Sequence, residues 1–135
     1  MSDDERYAGV ARVHNPFGHL VGFRTTQVSD GFARAELDVR AELYNPHDVL
    51  HGGVIFSMVD NSMGAAVYTR LTPEETCSTI EVKLNFLKAV RHGRLVCDTH
   101  VVARGRRTAV LRSAVTLDGV LVATAQGTYA IQQKS

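Results

Sequence analysis

The chain has 135 residues, 44% apolar and 21% charged, which suits one globular domain with a sizeable core and excludes a disordered or low-complexity chain. Its formal net charge of +1 argues against a global affinity for nucleic acid or for a membrane surface. No stretch approaches the roughly 18 consecutive apolar residues of a membrane span, and Cys77 and Cys97 lack the Cys-x-x-Cys spacing of a zinc or redox motif.

The opening MSDDERYAGV is acidic and has no apolar stretch of a signal peptide, so a cytoplasmic protein with reduced thiols is expected. Residues 6–21 read as a short helix broken near Asn15-Pro16, with residues 1–16 forming an N-terminal extension. Next come two strand-like runs, 23–29 and 32–39, joined by Asp30-Gly31. A two-residue Asp-Gly between such runs is a strong hairpin signal. Residues 40–51 are a loop containing Asn45-Pro46.

Gly52 to about Leu71 has no proline and stops before Thr72-Pro73, so it reads as one long helix. Residues 71–78 are expected as a turn. The period then changes to two. In TIEVKLNFL (79–87), Ile80, Val82, Leu84 and Phe86 alternate on one face. Strands follow at 94–104, 108–117 and 120–131, separated by Arg91-His92-Gly93, Gly105-Arg106-Arg107 and Asp118-Gly119. The order is hairpin, helix, four strands: an α+β chain with an antiparallel sheet wrapped around one helix. The helix covers one sheet face, so the other must be polar or meet a partner chain. Several strands are apolar on both faces, which favours oligomers.

The helix start carries the chemistry. Backbone N–H groups in a first helical turn lack partners, and glycine lets another group approach them closely. His51-Gly52-Gly53 thus offers a bare donor for an anion or a developing oxyanion. At about 100° per residue, Asp60 shares a face with Gly53, Phe56, Ser57 and Gly64, while Val54, Ile55, Met58 and Val59 turn toward the sheet. Eight residues of helix put Gly52 and Asp60 about 12 Å apart. One carbonyl cannot touch both in a single chain, so joint action needs two chains, with antiparallel helices and a two-fold axis.

The pattern Asn45-x5-His51-Gly52-Gly53-x6-Asp60, in this order of elements, resembles the hotdog-fold acyl-CoA thioesterases of the phenylacetic-acid-degradation (PaaI-like) and thioesterase superfamily member type. The resemblance spans about residues 17–131 and implies one hotdog domain over 1–135. It implies hydrolysis of an aromatic or medium-chain acyl-CoA to the carboxylic acid and free CoA. Gly52 would supply the oxyanion-hole N–H, His51 would orient that end, and Asn45 would lie near the thioester. Asp60 of the other protomer would be nucleophile or general base, and Thr79 would help place the attacking water. Coenzyme A would meet residues 86–91 and 103–108, including Lys88, Ala89, Val90, Arg91, Arg104, Gly105, Arg106 and Arg107. The stretch from Lys83 to Arg112 holds eight basic residues and one acid, Asp98, and arginine suits phosphate by forked hydrogen bonding. Phe56, Met63 and Phe86 are expected in the acyl pocket.

No cofactor is implied beyond coenzyme A as part of the substrate. His14, His19, His47, His51, His92 and His100 show no metal-ligand spacing. The resemblance implies a homotetramer, a dimer of dimers, and no nucleic-acid or membrane partner. A hotdog acyl-CoA hydratase or dehydratase, and a non-catalytic acyl-CoA-binding regulatory domain, stand as alternatives.

Overall fold

In the computed structural model, residues 7–135 are described; residues 1–6 of the N-terminal extension lie outside the described residues. Two short helices open it, α1 (Ala8–Ala11) and α2 (Pro16–Val21). They break at the expected place: the Asn15 side chain accepts from the Gly18 N–H at 2.9 Å, and Pro16 takes the first helical position. Strands β1 (Phe23–Ser29) and β2 (Phe32–Asp38) form the Asp30-Gly31 hairpin, with Gly31 at φ 70°. A one-turn 3-10 helix (Ala41–Leu43) leads into the loop before α3 (Gly52–Tyr68). Then follow β3 (Glu75–Phe86), β4 (Arg94–Arg104), β5 (Thr108–Leu117) and β6 (Val120–Gln133). All pairings are antiparallel, in the order β1-β2-β4-β5-β6-β3. The Asp118-Gly119 turn has φ of 51° and 79°, the two positive values that a tight two-residue hairpin requires.

This is the hotdog arrangement: one sheet wrapped around α3. The face of the sheet toward the helix is built from small residues at its flanks, Ala33 and Ala35 on β2 and Ala123, Ala125 and Gly127 on β6. Small side chains let the helix lie close and leave room for Met58, Val59 and Met63, which are fully buried. Ser62 is also buried, and a hydroxyl chain from Thr99 to Ser62 (3.1 Å) and Ser113 (2.6 Å) satisfies it. The outward face is mixed, with Val96, Ala103, Val110 and Ala114 beside polar residues. The forked Arg34–Asp98 pair (2.6 and 2.9 Å) lies there, and His100, Arg112, Gln126 and Lys83 form one row across four strands.

Two expectations for β3 change. The strand starts at Glu75, inside the stretch read as a turn; only Thr72–Glu74 turn, closed by the Glu75 N–H on the Thr72 carbonyl (3.0 Å). A bulge also interrupts β3, since Thr79 pairs with Tyr129 and Glu81 with Thr128, leaving Ile80 without a cross-strand partner. Ile80 therefore does not share the face of Val82, Leu84 and Phe86; it is 58% exposed. The extra residue switches the parity of the strand and turns Thr79 to the helix side. Among the described residues no helix is long and apolar enough to cross a membrane.

Candidate active site

The helix runs along the sheet from one end to the other. At its start, a Cβ on Gly52 would lie 2.8 Å from Cζ of Phe86, and the Leu50 N–H donates to the Val90 carbonyl (2.7 Å). At its finish, the Thr69 hydroxyl accepts from the Gly31 N–H (2.8 Å) and Arg70 pairs with Asp30 (2.5 Å). Asp60 sits between, on the stripe of α3 that turns away from the core with Gly53, Phe56 and Gly64.

The two glycines do different things. Gly53 lacks a Cβ where one would lie 2.9 Å from Nδ1 of His51, so the imidazole folds over its own helix start and accepts the Gly53 N–H at 2.8 Å. His51 is the N-cap, and in its neutral form the ring proton sits on Nε2. With Gly53 capped and the Val54 N–H on the His51 carbonyl (3.0 Å), the Gly52 N–H is the donor at this end with no acceptor among the described residues. Asn45 shapes the preceding loop: its Oδ1 accepts from the His47 N–H (2.8 Å), and its own N–H donates to the Val49 carbonyl (2.8 Å). That leaves the Asn45 side-chain N–H2 as the group available to a ligand.

Asp60 is surrounded differently. Thr79 Oγ1 donates to its Oδ1 at 2.7 Å. The Tyr129 hydroxyl lies 2.5 Å from the same oxygen and 2.6 Å from the Asp60 backbone carbonyl. Tyr129 is buried, and burial first, then its bond to the Asp60 carboxylate, hold its hydroxyl well above the ordinary phenol range. Cys77 lines the same cleft, its thiol pushed up to about 11 by burial and by the Asp60 charge. The cleft has a volume of about 1250 Å³ and is walled by the N-terminal segment, including Val10, Val13 and Leu20, and by Gly64, Ala65 and Tyr68 of α3. It exceeds the roughly 300–1,000 Å³ of a closed ligand pocket, as befits a half-open one.

One chain thus brings Asp60, Thr79 and Tyr129 together in this cleft, and places Gly52, His51 and Asn45 elsewhere, at the end of the helix. Met63, expected in the acyl pocket, is in the core, with its sulfur 2.6 Å from where a Cβ of Gly127 would be. Phe56 and Phe86, also expected in the acyl pocket, are exposed and do not line the cleft of a single chain.

The basic residues divide between two ends of the sheet. Lys88, Ala89 and Arg91 are exposed in the turn before β4, at the Gly52 end, with Val90 buried beneath them. Gly105, Arg106 and Arg107 are exposed beyond the far end of β4, whose 11 residues span about 33 Å. The two turns expected to meet one coenzyme A therefore lie at opposite ends of a single chain. Arg104, one of the expected coenzyme A contacts, is committed inside the chain: its guanidinium donates to Glu75 Oε1 (2.5 Å), the Gly105 carbonyl (2.7 Å) and the Arg70 carbonyl (3.3 Å). Tyr129 is the site residue that sequence reading missed. Its signal was a tyrosine alternating with Ala123, Ala125, Gly127 and Ile131 on the otherwise apolar face of β6, since a buried phenol needs a partner.

Comparison with known proteins agrees with the fold. The model of the thioesterase superfamily matches residues 47–124. A candidate esterase of Saccharolobus solfataricus is 30% identical over 118 residues, covering 87% of this chain and 78% of that protein. The medium/long-chain acyl-CoA thioesterase YigI of Salmonella typhimurium is 26% identical over 134 residues, covering 87% and 86%. Among solved structures, that of the phenylacetic acid degradation protein PaaI from Thermus thermophilus superposes with a TM-score of 0.80 at 26% identity, covering 86% and 98%.

Proposed function

The chain belongs to the thioesterase superfamily, and from that premise we propose that it hydrolyses acyl-CoA thioesters at a site shared between two protomers. The observation that carries this reading is the division of labour along α3. A Gly52 N–H with no acceptor among the described residues stands at one point of the helix, and a carboxylate fastened on one oxygen stands about 12 Å along it. A second copy with its helix antiparallel brings Asp60 of one chain opposite Gly52 of the other, and two-fold symmetry makes two such sites. The partly exposed outer stripe of α3, with Phe56 and Tyr68, and the open outer edge of β3, with Ile80 and Phe86 exposed on the strand and Leu87 just beyond it, support association.

The thioester carbonyl oxygen would rest on the Gly52 N–H, which stabilises the charge that develops on attack. The Asn45 amide N–H2 would meet it from the side. Asp60 either attacks the carbonyl carbon or takes the proton of an attacking water. Where water attacks, collapse of the tetrahedral intermediate releases the CoA thiolate, which gains the proton Asp60 took up, and leaves the carboxylic acid. Where Asp60 attacks, collapse releases the thiolate and leaves a mixed anhydride on Asp60, which water then hydrolyses to the carboxylic acid and the free carboxylate. The same symmetry reunites the two basic turns. Lys88 and Arg91 belong to the protomer that lends Gly52, and Arg106 and Arg107 to the one that lends Asp60. Around the CoA phosphates these four are the basic side chains of the expected set that form no ion pair among the described residues, Arg104 being held by Glu75. The cleft walled by the N-terminal segment receives the acyl group. The name of the Salmonella relative fits this substrate class.

The test is release of free thiol, followed colorimetrically, from benzoyl-, phenylacetyl- and hexanoyl-CoA. The wild type should release thiol from at least one of them, and Asp60→Asn should lose most of the rate. Tight binding without thiol release, or hydration of an enoyl-CoA in its place, overturns the reading.

A further inference from the structure

We propose that Tyr129 is a positioning residue that, with Thr79, fastens Oδ1 of Asp60 so that Oδ2 is the oxygen presented to the reaction. This rests on the thioesterase reading for its kinetic consequence, but not for its structural one. Two hydroxyls converge on Oδ1, at 2.5 Å from Tyr129 and 2.7 Å from Thr79. No donor among the described residues reaches Oδ2. The two hydroxyls are placed by one feature: Thr79 and Tyr129 are directly opposite each other on β3 and β6, and the Ile80 bulge turns Thr79 to the helix side. Tyr129 also reaches the Asp60 backbone carbonyl (2.6 Å), so it ties the side chain to its own helix turn.

The chemistry follows from which oxygen is spent. An ionised carboxylate has acceptor sites on both oxygens. With two donors on Oδ1, the side-chain torsions are held and Oδ2 keeps its lone pairs for a water proton or for carbon. A group so held loses little freedom at the transition state. The phenol suits the task because burial, then its bond to the Asp60 carboxylate, hold its hydroxyl well above the ordinary phenol range, so it is a donor at neutral pH.

The decisive variant is Tyr129→Phe, which deletes the hydroxyl and keeps the ring that packs under α3. Its kcat for thioester hydrolysis should fall about 10- to 100-fold, the worth of one hydrogen bond to a charged group, with KM within about twofold. In an Asp60→Asn background the same change should remove nothing further, because the reactive carboxylate whose free oxygen it presents is already gone. An unchanged kcat in Tyr129→Phe, or an equal loss in both backgrounds, overturns the proposal. A second readout is independent of activity. Proton NMR of the wild type should show a slowly exchanging downfield hydroxyl resonance that is absent in Tyr129→Phe and moves upfield in Asp60→Asn. If the wild type hydrolyses no acyl-CoA, the functional reading falls while this resonance still decides the hydrogen bond. Identical downfield spectra for wild type and Tyr129→Phe refute the bond itself.

Discussion

Replacing Gly52 with proline removes the proposed oxyanion donor at small cost to the fold. Proline is tolerated at the first position of a helix, where its missing N–H is an orphan in any case, and Gly52 is that position. The residue before a proline must be extended, and His51 already is, at φ −62° and ψ 131°. The Gly52 N–H donates to no acceptor among the described residues, so no internal bond is lost. The added Cβ would come to 2.8 Å from Cζ of Phe86, a ring that is 57% exposed and free to swing outward. Gly52→Ala makes the same contact but keeps the N–H, and serves as the steric control. Loss of one oxyanion donor typically costs about 100- to 1,000-fold in kcat, about 2.7–4 kcal/mol. Steady-state thiol release should therefore show Gly52→Pro lower than Gly52→Ala by that factor, with thermal melts of the two variants close together. Equal rates in the two variants would refute the assignment of the Gly52 N–H.

Gly127→Ala should destabilise the fold, since a Cβ there would meet the buried Met63 sulfur at 2.6 Å and the Glu81 carbonyl at 3.2 Å. Overpacking of about 1–3 kcal/mol corresponds to a melting temperature lower by about 3–10 °C in a chain of this size, measurable by calorimetry; an unchanged melt would contradict the tight β3–β6–α3 packing. Glu75 sets an acid dependence. The Thr72 N–H, then Arg104, hold its carboxyl below the usual value of 4.5, so its contribution to stability is full above that pH and is lost as pH falls through the lowered folded value. Glu75→Gln should melt lower than wild type at neutral pH, and the two should converge in acid; a gap independent of pH would show that the charge is not what matters.

Much of this architecture was legible because its signals are local. Asp30-Gly31 and Asp118-Gly119 mark hairpins through the positive φ at Gly31, Asp118 and Gly119, and the run after Gly52 ends near Thr72-Pro73 as its composition requires. What was not legible depends on pairing across distance. The Ile80 bulge hides inside a regular apolar alternation, because Ile80 continues the pattern of Val82 and Leu84 in sequence while leaving it in space. Without the bulge, Thr79 would be counted on the wrong face and Tyr129 would look like core. Arg104 reads as a free cation until β3 begins at Glu75 and supplies its partner, 29 residues away. Met63 falls near the Asp60 stripe by helical angle, yet the bare backbone of Gly127 gives it a core seat instead.

The shared site is tested most directly by complementation between two crippled chains. Gly52→Pro and Asp60→Asn are each expected to be nearly inactive. Unfolded together, mixed in equal amounts and refolded, half of the dimers should be hybrids, and each hybrid should own one pocket with both groups intact and one with neither, for a recovery of about a quarter of wild-type activity per chain. Activity at that level is the predicted result. A mixture no more active than its two parents, from a preparation shown to contain the hybrid, would mean that the donor and the carboxylate do not meet across the interface.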